Sequence, residues 1–199
     1  MIVVVGRLSE QPDSAPSAEA IAQRVAGADG RVEVVAVAPD GPGGDAILGR
    51  LAEAGIGHAA TRRSSGPMLE PADLELALRY LPDVRVIVLT ADAGHLEATA
   101  AGAAAWSGAA LIVLRRAAEA PRGNDGSDGA AAALEQDGAI VLEGPARDPD
   151  GAFAGVVATL ALRLDTGEAP QVAWRRVTAD LGVDEVSRSS GPVPGRPPG

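Results

Sequence analysis

The clearest structural signal in the sequence is Val32-Glu33-Val34-Val35-Ala36-Val37-Ala38-Pro39-Asp40-Gly41-Pro42-Gly43-Gly44-Asp45-Ala46. The β-branched run Val32–Val37 predicts a buried strand, and the Pro/Gly-rich segment after it predicts a turn. A helix is predicted from about Asp45 to Ala54, because the apolar residues Ile47, Leu48 and Leu51 fall on one of its sides. A strand that leads directly into a helix is the building unit of a parallel sheet covered by helices.

The same alternation of strands and helices recurs on both sides of this stretch. We predict further strands at Ile2–Val5, Val84–Leu89, Ala110–Leu114 and Ala139–Leu142, with a short one over His58–Arg62. We predict helices at Ala18–Ala26 (capped by Ser17), Pro71–Leu81, His95–Trp106, Ala152–Leu164 and Pro170–Leu181. The fold class is therefore α/β, a doubly wound, mostly parallel sheet with helices on both faces. We expect one domain over residues 1–182, then a disordered Pro/Gly-rich tail over residues 183–199.

The composition excludes several kinds of chemistry. The chain has no cysteine, so it has neither disulfides nor thiolate catalysis nor zinc–thiolate sites. All 17 basic residues are arginine, which excludes a P-loop lysine and a Schiff-base lysine. Neither histidine, His58 or His95, belongs to a recognisable ligand set, so we expect no metal site.

The net charge of −10 argues against nucleic acid as a partner, because phosphates would be repelled. No apolar run reaches the roughly 20 residues that a membrane span needs, so we expect no membrane partner. Met1 leads directly into Ile2-Val3-Val4-Val5 without the basic segment of a signal peptide. The expectation is a cytoplasmic protein.

The turn after the second strand is the first candidate binding site. Its residues Asp40, Gly41, Gly43, Gly44 and Asp45 lie where a strand ends and a helix begins, which is where ligands bind in α/β sheets. The glycines would let backbone amides approach an anion at the helix N-terminus. The alternative interpretation is a tight turn in which Asp45 caps the helix.

The second candidate site is Asp148-Pro149-Asp150-Gly151, between the last strand and the long helix. One interpretation is a helix start, with Asp148 as N-cap, Pro149 at the first helical position and Asp150 in the first turn. The other is a catalytic loop in which Asp148 or Asp150 acts as a general base. The most informative place to examine is the crevice between this turn and the turn at residues 39–45, and whether anything occupies it.

Together these motifs resemble the ribokinase, or PfkB-type carbohydrate kinase, family. The segment from Asp40 to Ala46, with Ala54-Gly55-Ile56 after it, is similar to the family's Gly-Asp-Asp-x-x-Gly-x-x-Leu segment and its closing Ala-Gly-Val. Ala152-Phe153-Ala154-Gly155 resembles the start of the family's signature helix. The resemblance implies a ribokinase-like core that is shortened, because most of the region that supplies the adenine site in the family has no counterpart.

The chain departs from the family at the catalytic loop, where active members carry Gly-Ala-Gly-Asp. The resemblance places Gly151, which has no side chain, at the position of the general base. Pro149 lacks one amide donor, and Asp148 and Asp150 bring negative charge to the place where the family stabilises a phosphoryl group.

These departures favour a non-catalytic ribokinase-like protein that binds a small ligand or a protein partner, without a cofactor. It is expected to be a homo-oligomer, because shortening would expose a sheet edge or a helix face. The alternative is an active PfkB-type kinase that transfers the γ-phosphate of ATP, with Mg, to a sugar or nucleoside hydroxyl, using Asp148 or Asp150. A third possibility is an acidic scaffold without a ligand.

Overall fold

Apolar strands and amphipathic helices alternate along the chain in the computed structural model, which describes residues 1–9, 16–64, 68–116, 134–136 and 138–180. The strands are β1 (Ile2–Arg7), β2 (Val32–Ala38), β3 (Arg62–Arg63), β4 (Val86–Leu89), β5 (Ala110–Arg116), β6 (Leu134–Gln136) and β7 (Ala139–Gly144). The helices are α1 (Ala18–Ala26), α2 (Pro42–Glu53), α3 (Pro71–Tyr80), α4 (Glu97–Ser107), α5 (Ala152–Asp165) and α6 (Pro170–Asp180). A 3₁₀ helix, Ala91–Leu96, precedes α4.

The described strands form one sheet in the order β3-β2-β1-β4-β5-β7-β6. All neighbouring pairs are parallel except β6 and β7, which are antiparallel. The chain winds outward from β1 in one direction through β2 and β3, and in the other through β4, β5 and β7. This confirms the predicted doubly wound, mostly parallel sheet.

Helices cover both faces of the sheet. Consecutive residues of a strand point to opposite faces, so each strand contributes to two cores. Ile2 and Val4 of β1 belong to a core that includes residues from α1, α2, α5 and α6. Val3 and Val5 belong to a second core, which includes residues from α3 and α4. All four strand residues are fully buried, which explains why the strand is apolar at every position.

Several helix starts differ from their predicted positions. Helix α2 begins at Pro42, with Gly41 as its N-cap, so the expectation that Asp45 caps this helix was wrong. Asp45 lies in the first turn instead, because the proline is already suited to the first helical position. The helix expected from His95 begins at Glu97, after the 3₁₀ turn.

The edges of the sheet also differ from the prediction. The strand expected over His58–Arg62 is reduced to Arg62–Arg63, with one isolated bridge between Glu33 and Gly57. Strand β6 was not predicted. The predicted tail, residues 183–199, lies outside the described residues. Among the helices of the described residues, none is both long enough and apolar enough to cross a membrane.

Candidate functional site

The turn before α5 is held by the carboxylate of Asp148. Its Oδ1 accepts a hydrogen bond from the amide of Phe153 (3.0 Å), and its Oδ2 accepts one from the amide of Ala154 (2.8 Å). The amide of Gly151 donates to the carbonyl of Asp148 (3.1 Å), which closes the turn. Because the first amides of a helix have no partner within the helix, this carboxylate satisfies two of them and also complements the helix dipole.

The interpretation of this turn as a helix start needs correction in its details. Helix α5 begins at Ala152, so Pro149 is not its first residue and Asp150 is not in its first turn. The N-cap residue is Gly151, with φ 63° and ψ 25°. Asp148 reaches the helix from three residues before the N-cap, because the chain makes a separate turn between Asp148 and Gly151.

Gly151 suits this position for two reasons. Its φ of 63° lies in the left-handed region, which residues with a side chain seldom adopt. A Cβ atom at this position would also lie 3.0 Å from Nη2 of Arg24, whose guanidinium donates to the carbonyl of Asp150 (2.8 Å). An aspartate at this position would have to adopt the left-handed backbone conformation and shift the exposed Arg24 guanidinium by a few tenths of an ångström.

A polar crevice of about 580 Å³ lies between this turn and helix α1. Its walls carry two guanidinium groups, from Arg24 and Arg50, and three carboxylates, from Glu19, Asp148 and Asp150. Glu19 pairs with Arg50 at 2.9 Å, which joins α1 to α2. Ser17 and Gln23 add neutral polar groups to the lining. A ligand here would meet hydrogen-bond donors and acceptors on the same wall.

The turn at residues 40–45 lies apart from this crevice. Asp45 forms an ion pair with Arg63 of β3. A Cβ atom at Gly44 would lie 1.8 Å from the carbonyl oxygen of Pro39, so this glycine is explained by close backbone packing. Asp40 and Gly41 are exposed. No residue of this turn belongs to the lining of the crevice beside Asp148.

The two predicted sites are at the same end of the sheet but are not neighbours. One follows β2 and the other follows β7, and β1, β4 and β5 lie between them. Four strand spacings of roughly 4.8 Å separate them by about 19 Å. The crevice beside Asp148 therefore has helix α1, and not the turn at residues 40–45, as its opposite wall.

No sequence motif predicted a site at the point between β1 and β4 where the chain reverses its winding direction. Thr90 is fully buried there, with its Oγ1 2.9 Å from the carbonyl of Val5 and 2.5 Å from Oδ1 of Asp92. His95 contacts the carbonyl of Leu69 through Nε2 at 2.8 Å. A cavity of only about 20 Å³ lies beside these groups, which is room for about one water molecule.

Metal-ligating residues do not gather at any of these places. Among the residues that the structure describes, no group of three or more His, Asp or Glu side chains is close enough together to hold a metal ion. Two carboxylates of the crevice are engaged elsewhere: Asp148 accepts from helix amides, and Glu19 pairs with Arg50.

Comparison with known proteins gives structural neighbours. No model of a protein family and no curated protein matches the sequence. The crystal structure of Sa239 is similar over 87% of this chain and 89% of that one, with a TM-score of 0.60 and 10% identity. At that identity the likeness is one of fold, and it covers nearly all of both chains.

Sugar kinases of the family named in the sequence analysis are also among the neighbours. A fructokinase from Halothermothrix orenii is similar over 57% of this chain and 56% of its own, with 13% identity and a TM-score of 0.44. An aminoimidazole riboside kinase from Salmonella enterica is similar over 58% and 50%, with 13% identity and a TM-score of 0.41. The chain spans about half of the length of these kinases.

Proposed function

We propose that this protein is a non-catalytic domain of ribokinase-like fold that binds a small polar ligand in the crevice beside Asp148. The observation that carries the proposal is the pair of hydrogen bonds from the amides of Phe153 and Ala154 to the Asp148 carboxylate. The helix N-terminus that could stabilise a phosphoryl group already holds an anion that belongs to the chain itself.

A phosphoryl group at this helix would meet an electrostatic barrier. A carboxylate about 5 Å from a phosphate oxygen costs roughly 3 kcal/mol at an effective dielectric constant near 20. Gly151 offers no side chain to deprotonate an acceptor hydroxyl, and Pro149 offers no amide. These three features support binding without phosphoryl transfer, and they make ATP and Mg unnecessary for the proposed function.

The lining of the crevice favours a neutral, hydroxylated ligand. Arg24 and Arg50 supply donors, whereas Glu19 and Asp150 supply acceptors, and a hydroxyl group can bond to either kind. With three carboxylates against two guanidinium groups, the wall does not attract an anion as a purely basic pocket would. A sugar or another polyol fits this combination of charges.

A working kinase is the second candidate, and one observation favours it. Asp150 is exposed on the crevice wall, and its carboxylate has no hydrogen bond or ion pair to another described residue. It is therefore placed to accept a proton from a ligand hydroxyl. In this alternative, the ligand would receive the γ-phosphate of ATP and Asp150 would act as the base.

The two candidates are separated by measuring ligand binding and ATP turnover on the same protein. We expect sugars or polyols to raise the melting temperature without ATP, and Mg-ATP with the same compounds to release no ADP. Binding should weaken in Arg24→Gln but not in Arg175→Gln, which removes an exposed arginine of α6. ADP release that disappears in Asp150→Asn would establish the kinase instead. Ligand binding that is unaffected by Arg24→Gln would show that the ligand does not bind in this crevice.

A further inference from the structure

The carboxylate of Glu19, on the wall of the crevice, has two oxygen atoms with different surroundings. Its Oε1 accepts hydrogen bonds from Nε2 of Gln23 (3.2 Å) and from Nε of Arg50 (2.9 Å). Nη2 of Arg50 also lies 2.9 Å from this same oxygen. Among the residues that the structure describes, no group donates a hydrogen bond to Oε2. Glu19 therefore lines the crevice with one oxygen that is already bonded and one that is available to a ligand.

The orientation of this carboxylate is fixed by two elements of the fold. Gln23 lies one helical turn further along α1, so its contact with Glu19 forms along one side of the helix. Arg50 approaches from α2. The side chain of Glu19 is only 14% exposed, whereas that of Arg50 is 51% exposed. Because the carboxylate is held in place before a ligand binds, little freedom is lost when Oε2 accepts a hydrogen bond.

The available oxygen restricts the kind of group that can lie beside it. An ionised carboxylate accepts hydrogen bonds and donates none, so its partner must be a donor such as a hydroxyl. A phosphate group would instead meet a like charge, and the carboxylates of Asp148 and Asp150 line the same crevice. The wall beside Glu19 therefore favours a ligand hydroxyl and disfavours a phosphate ester.

We propose that Glu19 determines the specificity of the crevice: its Oε2 accepts a hydrogen bond from one hydroxyl of the ligand and excludes phosphorylated compounds. The inference rests on the proposed function, because it names the residue that recognises the ligand in that crevice. It narrows the ligand to an unphosphorylated sugar or polyol. A hydrogen bond to an ionised acceptor is stronger than one between neutral groups, so removal of the recognised hydroxyl should weaken binding measurably.

The first test removes the hydroxyl and the carboxylate in turn, with D-ribose, D-fructose and D-glucitol as probes and calorimetry as the measurement. The compound that binds the wild type most tightly is compared with its monodeoxy analogues. One analogue should bind about tenfold more weakly than the parent compound. In Glu19→Gln this penalty should fall by about threefold or more, because Arg50 bonds to the amide oxygen and the amide NH₂ takes the place of Oε2. Equal penalties in the two proteins overturn the proposal.

The second test compares the parent compound with its phosphate monoester. The ester should bind the wild type at least about tenfold more weakly, and this difference should shrink in Glu19→Gln, which removes the negative charge. Glu53→Gln is the matched control, because it removes the same charge from an exposed position of α2 outside the crevice. It should leave the difference unchanged. A phosphate ester that binds the wild type as tightly as the parent compound refutes the proposed exclusion.

Glu19→Asp is a second variant that keeps the charge but draws the carboxylate back by one methylene group. It should reduce the penalty for the missing hydroxyl and still disfavour the phosphate ester, and circular dichroism would confirm that each variant folds. If none of the three compounds binds the wild type, the proposed function fails and this inference fails with it. If they bind and Arg24→Gln weakens them, but both Glu19 variants keep the wild-type penalty, only the role of Glu19 is refuted.

Discussion

A Cβ atom at Gly6 would lie 2.3 Å from Oγ1 of Thr90 and 3.1 Å from Cβ of Ala18. The hydroxyl of Thr90 is held in place by the end of β1 and by Asp92, so it cannot turn away without losing these contacts. Gly6 and Thr90 therefore constrain each other, although they are far apart in the sequence. This close contact joins β1, β4 and α1 at the point where the sheet reverses its winding.

Gly6→Ala is expected to lower the free energy of unfolding by about 1–3 kcal/mol, because the new methyl group overpacks this contact. Urea denaturation checks the value. Gly49→Ala provides the control, since a Cβ atom at Gly49 has no heavy atom within 4 Å and the site is an exposed helical one. Gly49→Ala should raise the free energy of unfolding by up to about 1 kcal/mol.

The contact with Thr90 is tested by a double-mutant cycle. In a Thr90→Ala background, Gly6→Ala should cost clearly less than it does alone, because the colliding hydroxyl is gone. Equal costs in the two backgrounds would show that another neighbour, such as Ala18, causes the loss.

Helix α5 depends on an acceptor that lies outside the helix. Asp148→Ala leaves two amides at its start without their partner, and we expect a loss of about 1–2 kcal/mol in the free energy of unfolding. Sulfate should then stabilise Asp148→Ala more than it stabilises the wild type, because the exposed amides can bind an anion. Thermal unfolding in increasing sulfate measures this difference.

Asp150→Ala is the matched control for this variant, since it removes a carboxylate from the same turn without removing a hydrogen bond to the helix amides. It should unfold at nearly the wild-type temperature. If Asp148→Ala and Asp150→Ala were equally stable, the hydrogen bonds to Phe153 and Ala154 would contribute little, and the Asp148 carboxylate would not keep a phosphoryl group from these amides.

Strong periodic patterns predicted the helices better than the short or edge elements. Helix α1 was predicted with its observed bounds, because Ser17 caps it and Ile21 and Val25 mark its apolar side. Strand β6 was missed, because Leu134-Glu135-Gln136 is short and mixed in polarity. The start of α5 at Ala152 was predicted, but the separate turn before it was not, because Pro149 is equally suited to a turn and to a first helical position.

Strand order limited what could be predicted about the site. The sequence correctly indicated that both candidate turns follow parallel strands, and such turns lie at one end of a sheet. It did not contain the order of the strands, and that order puts three strands between the turns. The same order brings Arg24 of α1 beside Asp150 and Gly151. No local pattern predicts this contact, because Arg24 and Asp150 are 126 positions apart in the sequence.

The overall charge of the molecule leads to a prediction about partners. With a net charge of −10, the protein should not bind duplex DNA at moderate salt, because phosphates are repelled over distances comparable to the Debye length. Fluorescence anisotropy with a labelled duplex checks this. Binding that weakens steeply with added salt would contradict it and would indicate a local basic surface strong enough to overcome the net charge.

The Asp148 carboxylate acts as an intramolecular ligand of the α5 N-terminus, because it is linked covalently to the helix by a short segment of chain. It binds amides only five and six residues further along. A short tether gives such a group an effective local concentration in the millimolar range or above. A free phosphate would have to exceed that concentration to take its place, so the helix is occupied by an intramolecular competitor under ordinary conditions.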